Sequence, residues 1–206
     1  MFHKEILDSK QIELLPLVGE FSREYYLVGG TAIALYLGHR RSIDFDLFKF
    51  ASLNRKKIVE KVQSTGFPFV VTWNVADQMN LVVNEVKVTF FQYPFHIKAT
   101  NDFDGVLKLP ELLDLAAMKA YALGRRSKWK DYVDLYFLLK EKYSLDEISL
   151  RAMEIFGDLF SDKLFRSQLS YFVDVDYSEE VDYIIPNPPS EGEIKSYLVE
   201  VSTTIR

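Results

Sequence analysis

The sequence has no cysteine among its 206 residues. That absence excludes a disulfide framework, a metal site built on thiolates and a cysteine nucleophile. The sequence also lacks an apolar run of the roughly 20 residues that a membrane span needs. The N-terminal stretch MFHKEILDSKQIELL is too polar for a secretory signal. We therefore expect a protein without membrane association, located in the cytoplasm.

Basic residues are outnumbered by acidic ones. The chain has 25 Lys and Arg residues against 30 Asp and Glu residues, which gives a formal net charge of −5. This balance argues against binding nucleic acid through overall charge, so such a contact would need a local patch. The only dense basic stretch is RRSKWK, residues 125–130. It can hold an RNA backbone or a triphosphate, or it can form a solvated turn between two helices.

The periodicity of apolar residues predicts strands in the first half and helices in the second. Alternation predicts short strands at YYLV and SIDFDLFKF and two or three more between Phe67 and Pro94. Beyond Pro94, the 3.6-residue pattern predicts successive helices. We expect an α+β protein, with a core over residues 1–100 and a helical region over 101–206 packed on it as one compact unit.

A glycine turn follows the first predicted strand. Gly29, Gly30 and Thr31 stand between YYLV and the helix AIALYL. A turn of this kind at a helix N-terminus presents a row of backbone N–H groups to phosphate, with the Thr31 hydroxyl as an extra donor. The turn is therefore a candidate phosphate-binding site.

Two aspartates come one short helix later. Alternation in SIDFDLFKF places Asp44 and Asp46 on the same strand face. Two like charges so close are unfavourable unless a cation lies between them, and Mg²⁺ completed by phosphate oxygens fits. A D-x-D alone is common on exposed strands, but beside the glycine turn it predicts a metal–triphosphate site. Arg41 and Lys87 are candidates for phosphate contacts, and for Lys87 pairing with Glu85 is the alternative.

Three segments together resemble a known family. LVGGTAIALYLGHRRSIDFDLF, VKVTFFQYP and LLDLAAMKAYALGRRSKWKDYVDLYFLL are similar to successive motifs of the AbiEii/AbiGii toxin-like nucleotidyltransferases, in the DNA polymerase β-type superfamily. The resemblance implies a mixed β-sheet flanked by helices, with a helical C-terminal half over a nucleotide cleft. It also implies transfer of an NMP group from an NTP with Mg²⁺ or Mn²⁺. The implied acceptor is RNA, tRNA in toxin members, or protein, and an antitoxin is an implied partner.

The resemblance also assigns roles to single residues. It gives the phosphate-turn role to Gly29, Gly30 and Thr31 and the role of catalytic metal ligands to Asp44 and Asp46. Lys119 and Asp131 match the active-site lysine and aspartate of the helical half. The alternatives are that Lys119 extends its ammonium out of an apolar helix face to solvent, and that Asp131 only complements a helix dipole.

Thr89 is a departure from the superfamily pattern. It stands in VKVTFF, where many polymerase β-type enzymes have a third carboxylate. Glu85, placed on the same face by alternation, and Asp131 are the candidates to replace that carboxylate. Two function classes stay open. One is a metal-dependent nucleotidyltransferase, the toxin or effector of a toxin–antitoxin-like system. The other is a nucleotide-binding module that has lost turnover and regulates a partner.

Overall fold

The computed structural model of the protein describes residues 2–204. Its contacts divide the chain into two compact units, Met1–Glu111 and Leu112–Arg206. The first contains the strands β1 (Tyr26–Val28), β2 (Asp44–Lys49), β3 (Phe69–Asn74), β4 (Gln78–Val83), β5 (Val86–Gln92), β6 (Ala99–Phe103) and β7 (Leu107–Pro110). It also contains the helices α1 (Ser9–Gly19), α2 (Gly29–Leu37) and α3 (Arg55–Ser64). The predicted α+β class is confirmed.

The seven strands form one mixed sheet in the order β3-β4-β5-β2-β1-β7-β6. β2 runs parallel to β5, and β1 runs parallel to β7. The other neighbouring pairs are antiparallel. β2 is therefore an interior strand, and β3 and β6 are the two edges.

One face of the sheet forms the apolar core of the first unit. Phe45 and Leu47 of β2 are fully buried on this face, as strand alternation requires. Side chains from α1 and α3 meet the sheet there, among them Leu17 and Val62. The opposite face carries Asp44 and Asp46, together with Lys87 and Thr89 of β5. The polar side chains of β2 therefore lie on the face away from the apolar core.

The hairpin formed by β6 and β7 was not predicted, because helices were expected directly after Pro94. The turn between the two strands contains Asp104 and Gly105, both at positive φ. β7 pairs with β1 in the middle of the sheet. The predicted boundary at residues 100 and 101 therefore falls inside β6, and the contacts place the division after Glu111.

The second unit contains the helices α4 (Leu112–Leu123), α5 (Trp129–Glu141), α6 (Leu145–Phe156), α7 (Asp162–Leu169) and α8 (Glu191–Thr203). A capping box starts α8, with Ser190 accepting a hydrogen bond from the backbone N–H of Glu193. Arg151 of α6 donates from Nε to Asp114 of α4 over 2.6 Å, which ties those helices together. Across residues 2–204, no helix is both long and apolar enough to span a membrane.

Candidate active site

Both glycines of the phosphate turn lie against side chains from β2 and the segment before it. Gly29 begins α2 with φ of +75°, and a Cβ there would collide with Oδ2 of Asp46. A Cβ on Gly30 would lie 2.6 Å from Nη2 of the buried Arg40. The left-handed φ favours glycine at position 29, and the Asp46 carboxylate and the Arg40 guanidinium pack directly on the turn.

We expect Gly29→Ala to destabilise the protein by about 1–3 kcal/mol, because alanine is strained at this φ and its Cβ displaces Asp46. Gly66→Ala is the matched control. Gly66 has φ of +74°, and a Cβ at this position would meet no atom within 4 Å, so the control reports the backbone strain alone. Urea unfolding of both variants gives the two free energies. Equal losses would show that the contact with Asp46 does not constrain the turn.

Asp44 and Asp46 point to the same side of β2, as predicted. Both are half-buried and alternate with buried neighbours along the strand. In the parallel pairing with β5, Asp44 lies opposite Lys87 and Asp46 lies opposite Thr89. The Lys87 ammonium is 3.6 Å from Oδ2 of Asp44. Lys87 is thus beside the carboxylate pair, and its contact is with Asp44 instead of Glu85.

The Thr31 hydroxyl does not face an open phosphate site. Thr31 is buried, its hydroxyl donates to the carbonyl oxygen of Asp44, and it lies 2.9 Å from the Ser42 hydroxyl. It therefore fastens α2 to the start of β2, and only the backbone of the turn stays a candidate for binding phosphate. Arg41 donates from Nη1 to the carbonyl oxygen of Glu5 over 3.2 Å. Its predicted contact with phosphate stays a prediction.

Glu85 does not replace the missing carboxylate. It lies before β5, in the turn with Asn84, at φ of +67°. Its carboxylate pairs with the Lys10 ammonium. Alternation failed here because Asn84 and Glu85 form the hairpin turn and the strand begins only at Val86. Within residues 2–204, no three His, Asp or Glu side chains gather into a group that could hold a metal ion.

The residues present still fit a divalent cation whose other ligands come from a nucleotide. Asp44 and Asp46 supply two carboxylates on one face, and Mg²⁺ is commonly held by one or two carboxylates plus substrate phosphates. The Asp46 carboxylate occupies the space that a side chain at position 29 would fill. The phosphate turn and the candidate metal ligands are therefore in direct contact.

In the second unit, Lys119 is buried in an ion-pair cluster. Its ammonium is 2.7 Å from Oδ1 of Asp131 and 3.0 Å from Oδ2 of Asp134, and the side chain is 5% exposed. The alternative in which Lys119 extends to solvent is therefore wrong. Burying this ammonium is tolerable because two carboxylates compensate its charge.

Asp131 is held from two sides. Arg126 donates from Nε to Oδ2 over 2.9 Å, while Lys119 contacts Oδ1. Burial alone would raise the pKa of Asp131, but the charges and hydrogen bonds of Lys119 and Arg126 outweigh it and lower the pKa. Asp131 is ionised because of these contacts, not because of a helix dipole alone. Asp134 was not among the predicted site residues, although its position one turn after Asp131 places both on one helix face.

The basic segment 125–130 makes ion pairs with carboxylates of its own unit. Lys128 and Lys130 both contact Glu179. Trp129 is buried and stacks with Tyr132. Arg125 and Arg126 are exposed in the turn between α4 and α5, as the solvated-turn alternative predicts, and the buried Trp129 offers no open aromatic platform for RNA.

No family model matches the chain. A curated relative is the uncharacterized protein aq_aa25 of Aquifex aeolicus (strain VF5). It is 29% identical over 161 residues, which cover 73% of this chain and 75% of that protein.

Solved structures give a more informative likeness. MenT4, the nucleotidyltransferase toxin Rv2826c from Mycobacterium tuberculosis H37Rv, superposes with a TM-score of 0.62 at 14% identity, covering 94% of this chain and 82% of its own. JHP933 from Helicobacter pylori gives 0.54 at 16% identity, with coverages of 95% and 91%. The antibiotic-resistance factor ANT(2'')-Ia gives 0.53 at 12% identity, with coverages of 71% and 91%. The chain thus has a nucleotidyltransferase-type fold, and membership of the AbiEii/AbiGii-like branch stays a prediction.

Proposed function

We propose that this protein transfers an NMP group from an NTP to an acceptor hydroxyl. The observation that carries the proposal is the contact between Asp46 and Gly29. It brings the candidate metal ligands against the candidate phosphate turn on one face of a sheet with the nucleotidyltransferase-type topology. Fold alone does not define activity, so the proposal depends on this site.

Each group of the first unit has a role in the proposal. The backbone N–H groups of Gly29 and Gly30 bind the phosphates, and Asp44 and Asp46 hold Mg²⁺ or Mn²⁺. When bound, the metal would neutralise negative charge that develops during the transfer. Lys87, 3.6 Å from Asp44, limits the repulsion between the two carboxylates and offers a cation to a phosphate oxygen.

Lys119 is kept in the proposal as the active-site lysine of the second unit, the role that the resemblance implies. Asp131 and Asp134 hold its ammonium in place at 2.7 Å and 3.0 Å. With its lowered pKa, Asp131 is a weak proton acceptor, so we assign it to positioning Lys119 and not to deprotonating the acceptor.

The acceptor is proposed to be RNA, with tRNA as one candidate within that class. Protein is the class with which RNA is compared. The fold likeness to MenT4, a nucleotidyltransferase toxin, supports a toxin or effector role with an antitoxin as partner. The test is incubation with each α-³²P-labelled NTP, Mg²⁺ and either total cellular RNA or total protein. We expect label in the RNA pool. The absence of label in both pools with all four NTPs would refute the transferase.

A nucleotide-binding module without turnover is the second candidate, and Thr89 favours it. Thr89 lies directly opposite Asp46, where a third carboxylate would approach the metal. A threonine hydroxyl is neutral and holds a divalent cation less strongly than a carboxylate does. In this alternative, NTP occupancy would regulate a partner.

Thr89→Asp separates the two candidates. Without metal, we expect a lower melting temperature, because a third carboxylate is placed in a 7% exposed position beside Asp46. Mg²⁺ at about 100 times its Kd should return about 2.7 kcal/mol of stability. Thermal melts with and without Mg²⁺ measure both effects.

Asn80→Asp is the matched control, because Asn80 lies opposite Thr89 and one strand farther from Asp46. It should show a smaller response to Mg²⁺. A Thr89→Asp variant indifferent to Mg²⁺ would contradict the predicted metal position. If Thr89→Asp transferred nucleotides while the unmodified protein did not, the binding-module alternative would hold.

A further inference from the structure

Trp73 is an exposed tryptophan on the face of the sheet that carries the two aspartates. Its side chain is 52% exposed on the edge strand β3. In register, Trp73 pairs with Asn80, Asn80 with Thr89, and Thr89 with Asp46. Residues opposite each other in adjacent strands point to the same face. Trp73 and Asp46 therefore belong to one row of side chains.

A β-bulge gives Trp73 this direction. The register shifts between Val71 and Trp73, so Val71 pairs with Leu81 while Trp73 pairs with Asn80. Without the extra residue, Val71 and Trp73 would share a face because they are two positions apart. Leu81 is fully buried on the core face, whereas Trp73 is turned to the face of Asp46. Bulges beside active sites often redirect a side chain in this way.

The order of the strands separates Trp73 from the phosphate turn. β1 leads into Gly29 on one side of β2, and β5, β4 and β3 follow on the other side. At about 4.8 Å per strand, Trp73 lies roughly 14 Å across the sheet from Asp46. The carboxylates therefore lie between the place proposed for the triphosphate and the tryptophan.

The surface between Asp46 and Trp73 is polar. Asn80 accepts a hydrogen bond from Gln78 over 2.9 Å, and the 46% exposed side chain of Lys87 lies in the adjoining row. An aromatic platform beside polar groups and a cation is a combination that proteins use for single-stranded nucleic acid. Because the chain is acidic overall, general electrostatic attraction to a nucleic acid is weak, and base stacking has to supply more of the binding free energy.

We infer that Trp73 stacks on an unpaired base of a nucleic-acid acceptor whose reactive hydroxyl is directed to the aspartate pair. This inference rests on the proposed function and names the acceptor side of the same site. Base stacking on aromatic rings tolerates many sequences, so Trp73 contributes affinity and direction of entry more than sequence selection.

The binding test uses the intrinsic fluorescence of the unmodified protein. The chain has two tryptophans, and Trp129 is only 8% exposed, so a stacked base quenches mainly Trp73. We expect single-stranded oligoribonucleotides of about 8 residues to quench the emission. Trp73→Phe should remove the quenching, and Trp73→Ala should weaken binding, followed by a labelled oligonucleotide, about tenfold.

Val71→Ala is the matched control, because Val71 is on the same edge strand, 39% exposed and turned to the other face. It should leave oligonucleotide affinity unchanged. In transfer assays, Trp73→Ala should raise KM for the acceptor about tenfold and leave KM for NTP unchanged. A structural defect of the strand would instead affect Val71→Ala as well.

Several outcomes would overturn the inference. Transfer with an unchanged acceptor KM in Trp73→Ala would refute the role of Trp73 and leave the proposed function intact. If no transfer occurred with any NTP, the proposed function would fail, and absence of oligonucleotide quenching would separately refute the stacking site. Quenching by NTP alone would assign Trp73 to the donor nucleotide. A dimer that Trp73→Ala converts to a monomer would show that a second copy covers the ring.

Discussion

Replacing Lys119 with alanine is expected to lower the free energy of unfolding by about 3–5 kcal/mol. The substitution leaves Asp131 and Asp134 buried without the ammonium that lies 2.7 Å and 3.0 Å from them. A buried carboxylate that loses its partner must either bear the desolvation cost or take up a proton. Arg126 still contacts Asp131, so that carboxylate keeps one cationic partner.

Unfolding in guanidinium chloride measures this loss of free energy. In a separate thermal melt, the melting temperature should fall by about 6–20 °C. Lys56→Ala is a suitable control, since Lys56 is 87% exposed and forms a helix-surface pair with Glu60. That pair should contribute about 0.5 kcal/mol or less. Substituting Asp134 together with Lys119 should restore part of the stability. A Lys119→Ala variant as stable as the Lys56→Ala control would contradict the buried cluster.

Replacing Asp46 with asparagine is expected to reduce nucleotide transfer at least about a hundredfold. Asparagine keeps the shape that fits against Gly29 but removes the negative charge that a divalent cation needs. Stability should change little, because Asp46 is half-buried beside another carboxylate. Initial rates with labelled NTP measure the loss of transfer, and titration with Mn²⁺ measures the loss of cation binding.

Asp77→Asn is the control for this substitution, because it removes one negative charge from an exposed bend of the same unit. We expect it to transfer nucleotides at the normal rate. An Asp46→Asn variant with normal transfer would require a different metal ligand and would refute the proposed site. Loss of transfer together with unfolding would instead indicate a structural role for the carboxylate.

The sequence predicts the carboxylate pair well because strand alternation is a local property. Asp44 and Asp46 share a face for any straight strand through SIDFDLF. Their closeness to Gly29 also follows from a short helix that returns the chain to a neighbouring strand. Glu85 shows the limit of the same argument, because alternation stops where Asn84 and Glu85 form a hairpin turn.

Contacts between distant residues could not be predicted in the same way. The sequence alone predicts that Lys119→Ala weakens NTP binding without unfolding the protein, because the resemblance assigns this lysine to the nucleotide site. Only the packing of α4 against α5 shows that two carboxylates enclose its ammonium. The Thr31 hydroxyl is a similar case, since its capture by the carbonyl oxygen of Asp44 depends on how closely α2 approaches β2. The direction of the Trp73 side chain depends on a β-bulge, and no residue type in FVVTWN predicts that bulge.

The position of β7 in the sheet has a consequence for synthesis of the chain. β1 is complete at Val28, but its parallel partner begins at Leu107. While the ribosome is still making the intervening residues, the open side of β1 has no strand to pair with. Closing so long a loop is slow, and an exposed strand edge invites pairing with other chains during that interval. The nascent protein is therefore most vulnerable to aggregation just before the hairpin of β6 and β7 emerges, and a chaperone would be most useful at that stage.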